Sequence, residues 1–241
     1  MPALLRLDGV SKNFGALRAV DNLSFDLDRG EALGILGPNG AGKSTLFNLI
    51  SGDIRPSAGT IRLRGQELTH LPSYERCRLG IGRTYQIPQP FGRMTVFENV
   101  LAAASFSSGR RESACYDLCM DVLEESGLLD KSNHVADSLT LLERKRLELA
   151  RALATEPSVL LLDEIAGGLT DGECHELIDV INVVRKGGIS IIWIEHVVHV
   201  LLAVVDRLLV INFGKHLAEG EPRTVMANAA VQEVYMGIEA E

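Results

Sequence analysis

The stretch Gly37-Pro38-Asn39-Gly40-Ala41-Gly42-Lys43-Ser44 (GPNGAGKS, residues 37–44) decides how the rest of the chain is read. It fits the pattern Gly-x-x-x-x-Gly-Lys-Ser/Thr in full, follows the apolar run EALGILG and leads into the helix-like STLFNLI. Each part has a physical use at a polyphosphate. Glycines let backbone N–H groups curl around phosphate oxygens, and the helix that follows adds the positive end of its dipole. Lys43 brings a point charge to the β- and γ-phosphates, and the Ser44 hydroxyl suits Mg2+. A buried strand before and a helix after separate this motif from a glycine-rich turn with a solvated lysine.

Well downstream, SVLLLDE (158–164) is a continuous apolar strand ending in two acids. Asp163, at its carboxyl end, suits a role at Mg2+, and Glu164 can orient or deprotonate an attacking water. Alone, the pair reads equally as a strand end and a helix cap; the phosphate loop upstream tips the choice. His196 follows the strand ISIIWIE at the edge where open α/β sheets place their ligands. Gln86 lies in the proline-flanked GRTYQIPQP, where by itself it is only a polar loop residue.

The order of elements sets the fold class. Leu23, Phe25 and Leu27 alternate with Ser24, Asp26 and Asp28, as in a half-buried strand, and GTIRLRG (59–65) is a second. From about 96 to 155 the pattern is helical: Thr95 and Glu98 open one helix, and Tyr116, Cys119, Met120 and Leu123 share a face of another. Strand and helix then alternate, with helices expected over 171–186 and 196–205. That order predicts an α/β fold: a parallel sheet with helices on both faces and an antiparallel β region at the start.

With 241 residues the chain is long enough to bury a sizeable core, as one α/β domain with a lobe. A formal charge of −8 argues against non-specific nucleic-acid binding and against docking on anionic lipid by charge alone. Cys77, Cys115, Cys119 and Cys174 lack the spacing and partners of a zinc site and read as reduced thiols. MPALLRLDGV has neither the basic start nor the apolar core of a signal peptide. The most apolar region, 189–213, is interrupted by Glu195, His196, His199, Asp206 and Arg207, so it does not read as a spanning helix. Any membrane role is expected to run through a partner.

Taken together, these features resemble the nucleotide-binding subunit of an ATP-binding-cassette (ABC) transporter over essentially the whole chain. The parts fall in the family's order: Phe14, the phosphate loop, Gln86, a helical stretch, LTLLE leading into RKRLELARALATEPSVLLLDE, then His196. GRTYQ with MTVFENV, DEIAGGL, INFGKHLAEGEP and the closing VQEVYMG look most like the cytoplasmic ATPases of bacterial importers for branched-chain amino acids and related polar solutes. The resemblance implies a P-loop NTPase fold with a RecA-like parallel core, formed by 1–85 plus 155–241, and a helical lobe over 86–154. It implies ATP and Mg2+ as ligands. Phe14, where many relatives have Tyr, would stack on adenine; Gly37 through Ser44 with Thr45 would hold the phosphates, and Ser44, Gln86 and Asp163 the metal. Lys43, Gln86, Glu164 and His196 would carry the hydrolysis. Two cassettes would sandwich two ATP molecules head to tail, each phosphate loop facing the other chain's signature segment, with IAGGLT (165–170) crossing between them. Family members often have Asp where Thr170 stands. Implied partners are transmembrane permease subunits, a second ATPase subunit and, indirectly, a solute-binding protein. The implied location is peripheral, on the cytoplasmic face of the plasma membrane.

One segment departs from the family. The usual Leu-Ser-Gly-Gly-Gln is here Leu139-Thr140-Leu141-Leu142-Glu143. Thr140 and Glu143 fit a capping box, so the segment predicts a helix start, continuing through Leu147, Ala150 and Leu153 with Arg and Lys on the wet side. Thr140 and free first-turn N–H groups retain some capacity for phosphate. Leucines hinder close approach, however, and Glu143 repels an anion. Losing one or two charge-assisted hydrogen bonds costs about 1.5–3 kcal/mol each. The segment therefore predicts pairing with a non-identical ATPase subunit, whose site it would complete weakly; a homodimer is the rival. A regulatory, clamp-like ATP-binding module with poor turnover is the second functional reading. A cytosolic ABC protein of translation or repair is the third, disfavoured because such chains usually carry two cassettes or coiled-coil insertions.

Overall fold

The computed structural model describes residues 3–236; Gly237 of the closing VQEVYMG lies outside the described residues. The chain opens with strands β1 (Leu5–Phe14), β2 (Leu17–Leu27) and β3 (Ala32–Leu36), then helix α1 (Lys43–Ser51), β4 (Ala58–Leu63) and β5 (Gln66–Glu67). Helix α2 (Ser73–Arg78) and β6 (Ile81–Arg83) lead into helices α3 (Val96–Ser108), α4 (Tyr116–Glu125) and α5 (Leu141–Leu153). There follow β7 (Val159–Asp163), α6 (Asp171–Lys186), β8 (Ser190–Ile194), α7 (Val198–Leu202), β9 (Arg207–Asn212), β10 (Lys215–Gly220), α8 (Pro222–Met226) and α9 (Ala229–Met236).

Two sheets result. One is antiparallel, in the order β2-β1-β4-β5; the other runs β10-β9-β3-β8-β7-β6. In the second sheet β6, β7, β8, β3 and β9 pair in parallel, and β10 closes one edge antiparallel. The central strands read as unbroken apolar runs because both faces are covered, and alternation along each strand shares them between two cores. Val159, Leu161, Ile192 and Ile194 pack with α1 and the antiparallel sheet. Leu160, Leu162, Ile191 and Trp193 pack with the helices of the 96–184 region. The chain leaves the sheet after β6 and re-enters it, alongside, at β7, so the helices between them share the sheet's own core.

Two helices differ from their sequence pattern. On α4 the buried face is Cys119, Val122 and Leu123, whereas Tyr116 and Met120 are 46% and 43% exposed. The Tyr116 ring instead meets Phe97 edge-on, at 5.5 Å between centroids. The helix expected over 196–205 is confined to Val198–Leu202. Its intended first turn is held out of helical geometry because the buried Glu195 carboxylate accepts the backbone N–H groups of His196 and Val197. Among the described residues, no helix is long and apolar enough to cross a membrane.

Candidate functional site

Three adjacent strands deliver the site. β3 lies between β9 and β8, and β7 lies on the far side of β8, so the carboxyl ends of β3, β8 and β7 share one edge. The phosphate loop leaves β3 there, His196 follows β8, and Asp163 and Glu164 end β7. A parallel sheet places ligands at this edge.

The loop is built to hold an anion. Gly40 and Gly42 sit at φ +81° and +101°, left-handed backbone that favours glycine. A Cβ at Gly42 would lie 2.3 Å from the Ala19 carbonyl oxygen, and one at Gly37 would lie 2.4 Å from that of Ile211. Helix α1 starts at Gly42 with no side-chain cap and no acid in its first turn. Helices α3, α5 and α6 all start with a Thr-x-x-Glu capping box instead. The first-turn N–H groups of α1 are thus left for an external acceptor, the condition for phosphate binding at a helix start. Lys43 is buried in the cradle, where its Nζ donates to the carbonyl oxygens of Gly37 (2.6 Å) and Pro38 (3.1 Å). Burial pulls its pKa down, opposed by the charges of Glu164 and Asp163. A phosphate would replace two neutral carbonyls with charged oxygens.

A cavity of 380 Å3 opens above this loop, lined by Asn39 through Thr45, by Glu164 and His196, and by Phe14. Phe14 is 49% exposed, with the Lys12 ammonium 5.1 Å from its ring centre, so it is a surface ring and not a core aromatic. Gly37 and Pro38 are not in the lining; their carbonyl oxygens hold the Lys43 ammonium that is.

Glu164 is the focus. Its Oε2 accepts a bond from Gln86 Nε2 at 2.6 Å, and its Oε1 lies 2.7 Å from His196 Nε2. Its backbone is at φ +47°, which costs a non-glycine residue roughly 1–2 kcal/mol. The Glu164 N–H bonded to the Ile194 carbonyl (2.9 Å) and the Gly167 N–H donated to its own carbonyl (3.2 Å) hold it there. This arrangement presents a carboxylate, 12% exposed, in the lining of the cavity that the phosphate loop also lines.

Asp163 is turned the other way. Its Oδ2 pairs with Arg83 at 2.9 Å, both side chains being 8% exposed. Arg83 also bonds Asn48, Ser51 and Asp53. Of the three oxygen donors expected at Mg2+, only Ser44 lines the cavity; Asp163 is held by Arg83, and the Gln86 nitrogen is engaged by Glu164, which leaves the Gln86 amide oxygen as its donor atom. Among the described residues no group of three His, Cys, Asp or Glu could hold a metal ion. Such a donor set relies on phosphate oxygens to complete the metal's shell.

Thr140 lies outside the cavity lining, at the start of α5. Its hydroxyl accepts the Glu143 N–H (3.3 Å), and Glu143 accepts the Thr140 N–H (2.8 Å) and pairs with Lys131. That backbone bond, above all, keeps the Glu143 carboxyl below its ordinary pKa, so the helix start carries a fixed negative charge. Leu141 is 44% exposed, beside the 165–170 loop: a Cβ on Gly168 would lie 3.4 Å from its Cδ2. Thr170 is the N-cap of α6, where its hydroxyl accepts the Glu173 N–H.

Several residues at the site have no role assigned from the sequence. Arg83 is one; Glu195 is another, buried beneath His196 and bonded by the Ala166 N–H at 2.7 Å. The signal for Glu195 is an acid closing the apolar run IIWI. Lys145 is a third: the sequence pattern puts the basic residues of α5 in water, yet Lys145 is 3% exposed. Its spacing from Leu142 and Leu149 places it on the apolar face, and that periodicity could have found it. Phe213, 81% exposed at the β9–β10 turn, also lines the nucleotide cavity.

The fold and the site define a phosphate-loop ATPase. The ABC transporter family matches residues 20–167, more than half of the chain. The chain is 38% identical to the high-affinity branched-chain amino acid transport ATP-binding protein LivG of Escherichia coli K12, over 97% of this chain and 98% of that one. It is 34% identical to the corresponding protein BraF of Pseudomonas aeruginosa, with the same coverage. A solved nucleotide-free ATP-binding cassette from an ABC transporter superposes with a TM-score of 0.90 at 30% identity, covering 98% of this chain and all of that one. The ADP conformation of an ATP-binding cassette gives 0.91 at 30% identity, covering 99% and 100%. The chain belongs to the ABC transporter family, as an ATP-binding and ATP-hydrolysing subunit.

Proposed function

We propose that this chain hydrolyses MgATP to drive an importer of branched-chain amino acids or a similar polar solute. The observation that carries the reading is the Glu164 carboxylate, held between Gln86 and His196 at 2.6 and 2.7 Å beside the phosphate cradle. Phe14 stacks on the adenine; Gly37 to Thr45, with the Lys43 ammonium, bind the phosphates. Ser44 and Gln86 would hold Mg2+, joined by Asp163 once it turns from Arg83, and the ion when bound would neutralise charge on the phosphate oxygens. Glu164 takes the proton from the attacking water, and His196 positions that water against the γ-phosphate. The core is 1–85 plus 155–241, and 86–154 is the helical lobe.

The catalytic unit is a dimer with a second, non-identical ATPase subunit. What supports this is the α5 start, where Thr140 and Glu143 satisfy each other and Leu141 projects outward. This chain's own phosphate loop meets the partner's signature segment, and LTLLE completes the partner's site weakly. Permease subunits hold the assembly on the cytoplasmic face of the plasma membrane. Their contact is the groove rimmed by Tyr74, Tyr85, Phe91 and Phe106, each about half exposed and adjoining the Gln86 loop. The solute class is supported by the names that relatives such as LivG and BraF carry.

Phosphate release by the purified chain, alone and with a co-expressed second cassette and permease, tests the proposal. Expected are low turnover alone, a large gain in the complex, and uptake of labelled leucine into proteoliposomes holding it. Strong turnover by the chain alone refutes the heterodimer. Tight ATP binding without turnover in the complex favours the regulatory reading, and turnover without leucine uptake refutes the solute class.

A further inference from the structure

Residues Lys145, Glu148 and Arg151 are spaced by three along α5, so they share a face, and that face looks at the Gln86 loop. Each grips the loop by its backbone. Lys145 Nζ donates to the Gln86 carbonyl at 2.8 Å and reaches the Glu164 carbonyl at 3.4 Å. The Glu148 carboxylate accepts the backbone N–H groups of Tyr85 and Gln89. Arg151 Nη1 donates to the Gln89 carbonyl and to Glu148, both at 3.0 Å. Its guanidinium also lies 5.3 Å from the centre of the Phe91 ring. Lys145 and Glu148 are only 3% and 5% exposed.

Apart from the Phe91 ring contact, these are bonds to the loop's backbone, so they fix where the loop sits and not what it contacts. The Lys145 ammonium also closes a ring. Gln86 and Glu164 are joined on one side by their own side chains, at 2.6 Å, and on the other through Lys145 to both carbonyls. Moreover, α5 is the helix that begins at Thr140, where a capping box locks its first turn. A displacement imposed at that start is carried along a rigid helix to Lys145, one to two turns away.

We propose that Lys145, Glu148 and Arg151 form a positioning clamp, through which the α5 start sets the placement of this chain's own Gln86 and Glu164. Lys145 is the key positioning residue; it lies outside the lining of the phosphate-loop cavity. The inference rests on the hydrolytic roles proposed for Gln86 and Glu164. Occupancy of the signature segment, which faces the partner's nucleotide, is thereby reported to the opposite catalytic carboxylate.

The test uses the chain assembled with its second cassette. Lys145→Met keeps the stem and removes the donor. Expected is a kcat lowered about ten- to a hundredfold, since small misplacements of a reacting group cost that much, with nucleotide affinity within about twofold. Lys145→Arg, which restores donors, recovers most of the rate. In a Gln86→Ala background Lys145→Met costs less than in the wild type, because the part of its effect carried by the Gln86 side chain is already lost. Independently of activity, hydrogen exchange at the Tyr85 and Gln89 amides accelerates in Glu148→Gln, and this measurement stands if Lys145→Met fails to fold. The clamp is overturned by an unchanged kcat with a lowered Tm, which marks a structural lysine. It is overturned equally by affinity falling in step with rate, or by exchange unaltered in Glu148→Gln. A wild-type complex without turnover would instead sink the hydrolytic reading and leave the exchange result to judge the clamp.

Discussion

Replacing Glu164 by Gln tests the assignment on which the proposed chemistry turns. The carboxylate sits between Gln86 Nε2 and His196 Nε2 at 2.6 and 2.7 Å, and an amide has the same shape. If the oxygen of the introduced amide keeps one donor, its nitrogen faces the other. His196 can then accept through its alternative tautomer, or Gln86 can turn its amide to offer oxygen. The left-handed backbone at this position is as open to Gln as to Glu. The fold therefore loses no hydrogen bond, and Tm should stay within about 2 °C. The proton acceptor is lost. A positioned general base contributes roughly 10²- to 10⁴-fold, so turnover should fall by at least about a hundredfold. That corresponds to at least about 2.7 kcal/mol on the barrier. Steady-state phosphate release in the assembled complex measures the rate, and a fluorescent-nucleotide titration measures binding. Turnover within about threefold of wild type, in a folded protein that binds ATP, would refute the general-base role. Loss of binding and rate together would show that the carboxylate organises the cavity instead.

Lys43→Ala removes the ammonium that Gly37 and Pro38 hold in the cradle; nucleotide binding should weaken at least about tenfold in a titration, as for one lost charge-assisted bond. Unchanged affinity would sink the phosphate-loop assignment. Arg83→Met leaves Asp163 and Asp53 facing each other without their cation, at a cost of about 3–5 kcal/mol in denaturant unfolding; adding Asp53→Asn should recover part of it. Burial raises the Glu195 carboxyl above its ordinary 4.5. Between that value and the raised one the native state holds more protons than the unfolded chain, so the Glu195 contribution to stability is lost as pH rises through this window. Glu195→Gln, whose carbonyl can still accept the Ala166 N–H, should flatten that slope in a pH series of denaturation midpoints.

What the sequence discloses is what lies contiguous along it. The phosphate loop is eight consecutive residues whose function resides in their own backbone, and α6 spans Asp171–Lys186, the bounds its sequence pattern sets. Asp163 and Glu164 are equally plain, as the acids that end an apolar strand. The partners of these residues are not plain, because sheet order and not sequence brings them together. Arg83 reaches Asp163 across 80 positions because β6 pairs in parallel with β7. Lys145 meets Gln86 across 59 because α5 packs over the loop. In a charged helix such as LLERKRLELARAL, a buried lysine differs from a solvated one only by its phase relative to the leucines.

Helix starts resolve the reading of LTLLE better than any single residue does. In α3, α5 and α6 a threonine hydroxyl and a glutamate three residues on consume the first donors and add a negative charge. Two of these starts, at Thr95 and Thr170, belong to no phosphate motif, and the one at Thr140 is chemically the same as they are. Only α1, of these four, begins with a glycine that offers no side-chain acceptor, no acid in its first turn and a buried lysine alongside. The first-turn N–H groups are thus left open to an anion at α1, whereas at the other starts the threonine and glutamate N–H groups are taken internally. To reach the Thr140 N–H a phosphate must displace Glu143, against an Nζ–carboxylate pair with Lys131 at 3.2 Å that holds the acid in place. The chain's own nucleotide site needs no such exchange. That difference is the physical content of the proposed asymmetry, and it assigns the stronger half-site to GPNGAGKS and the weaker to LTLLE.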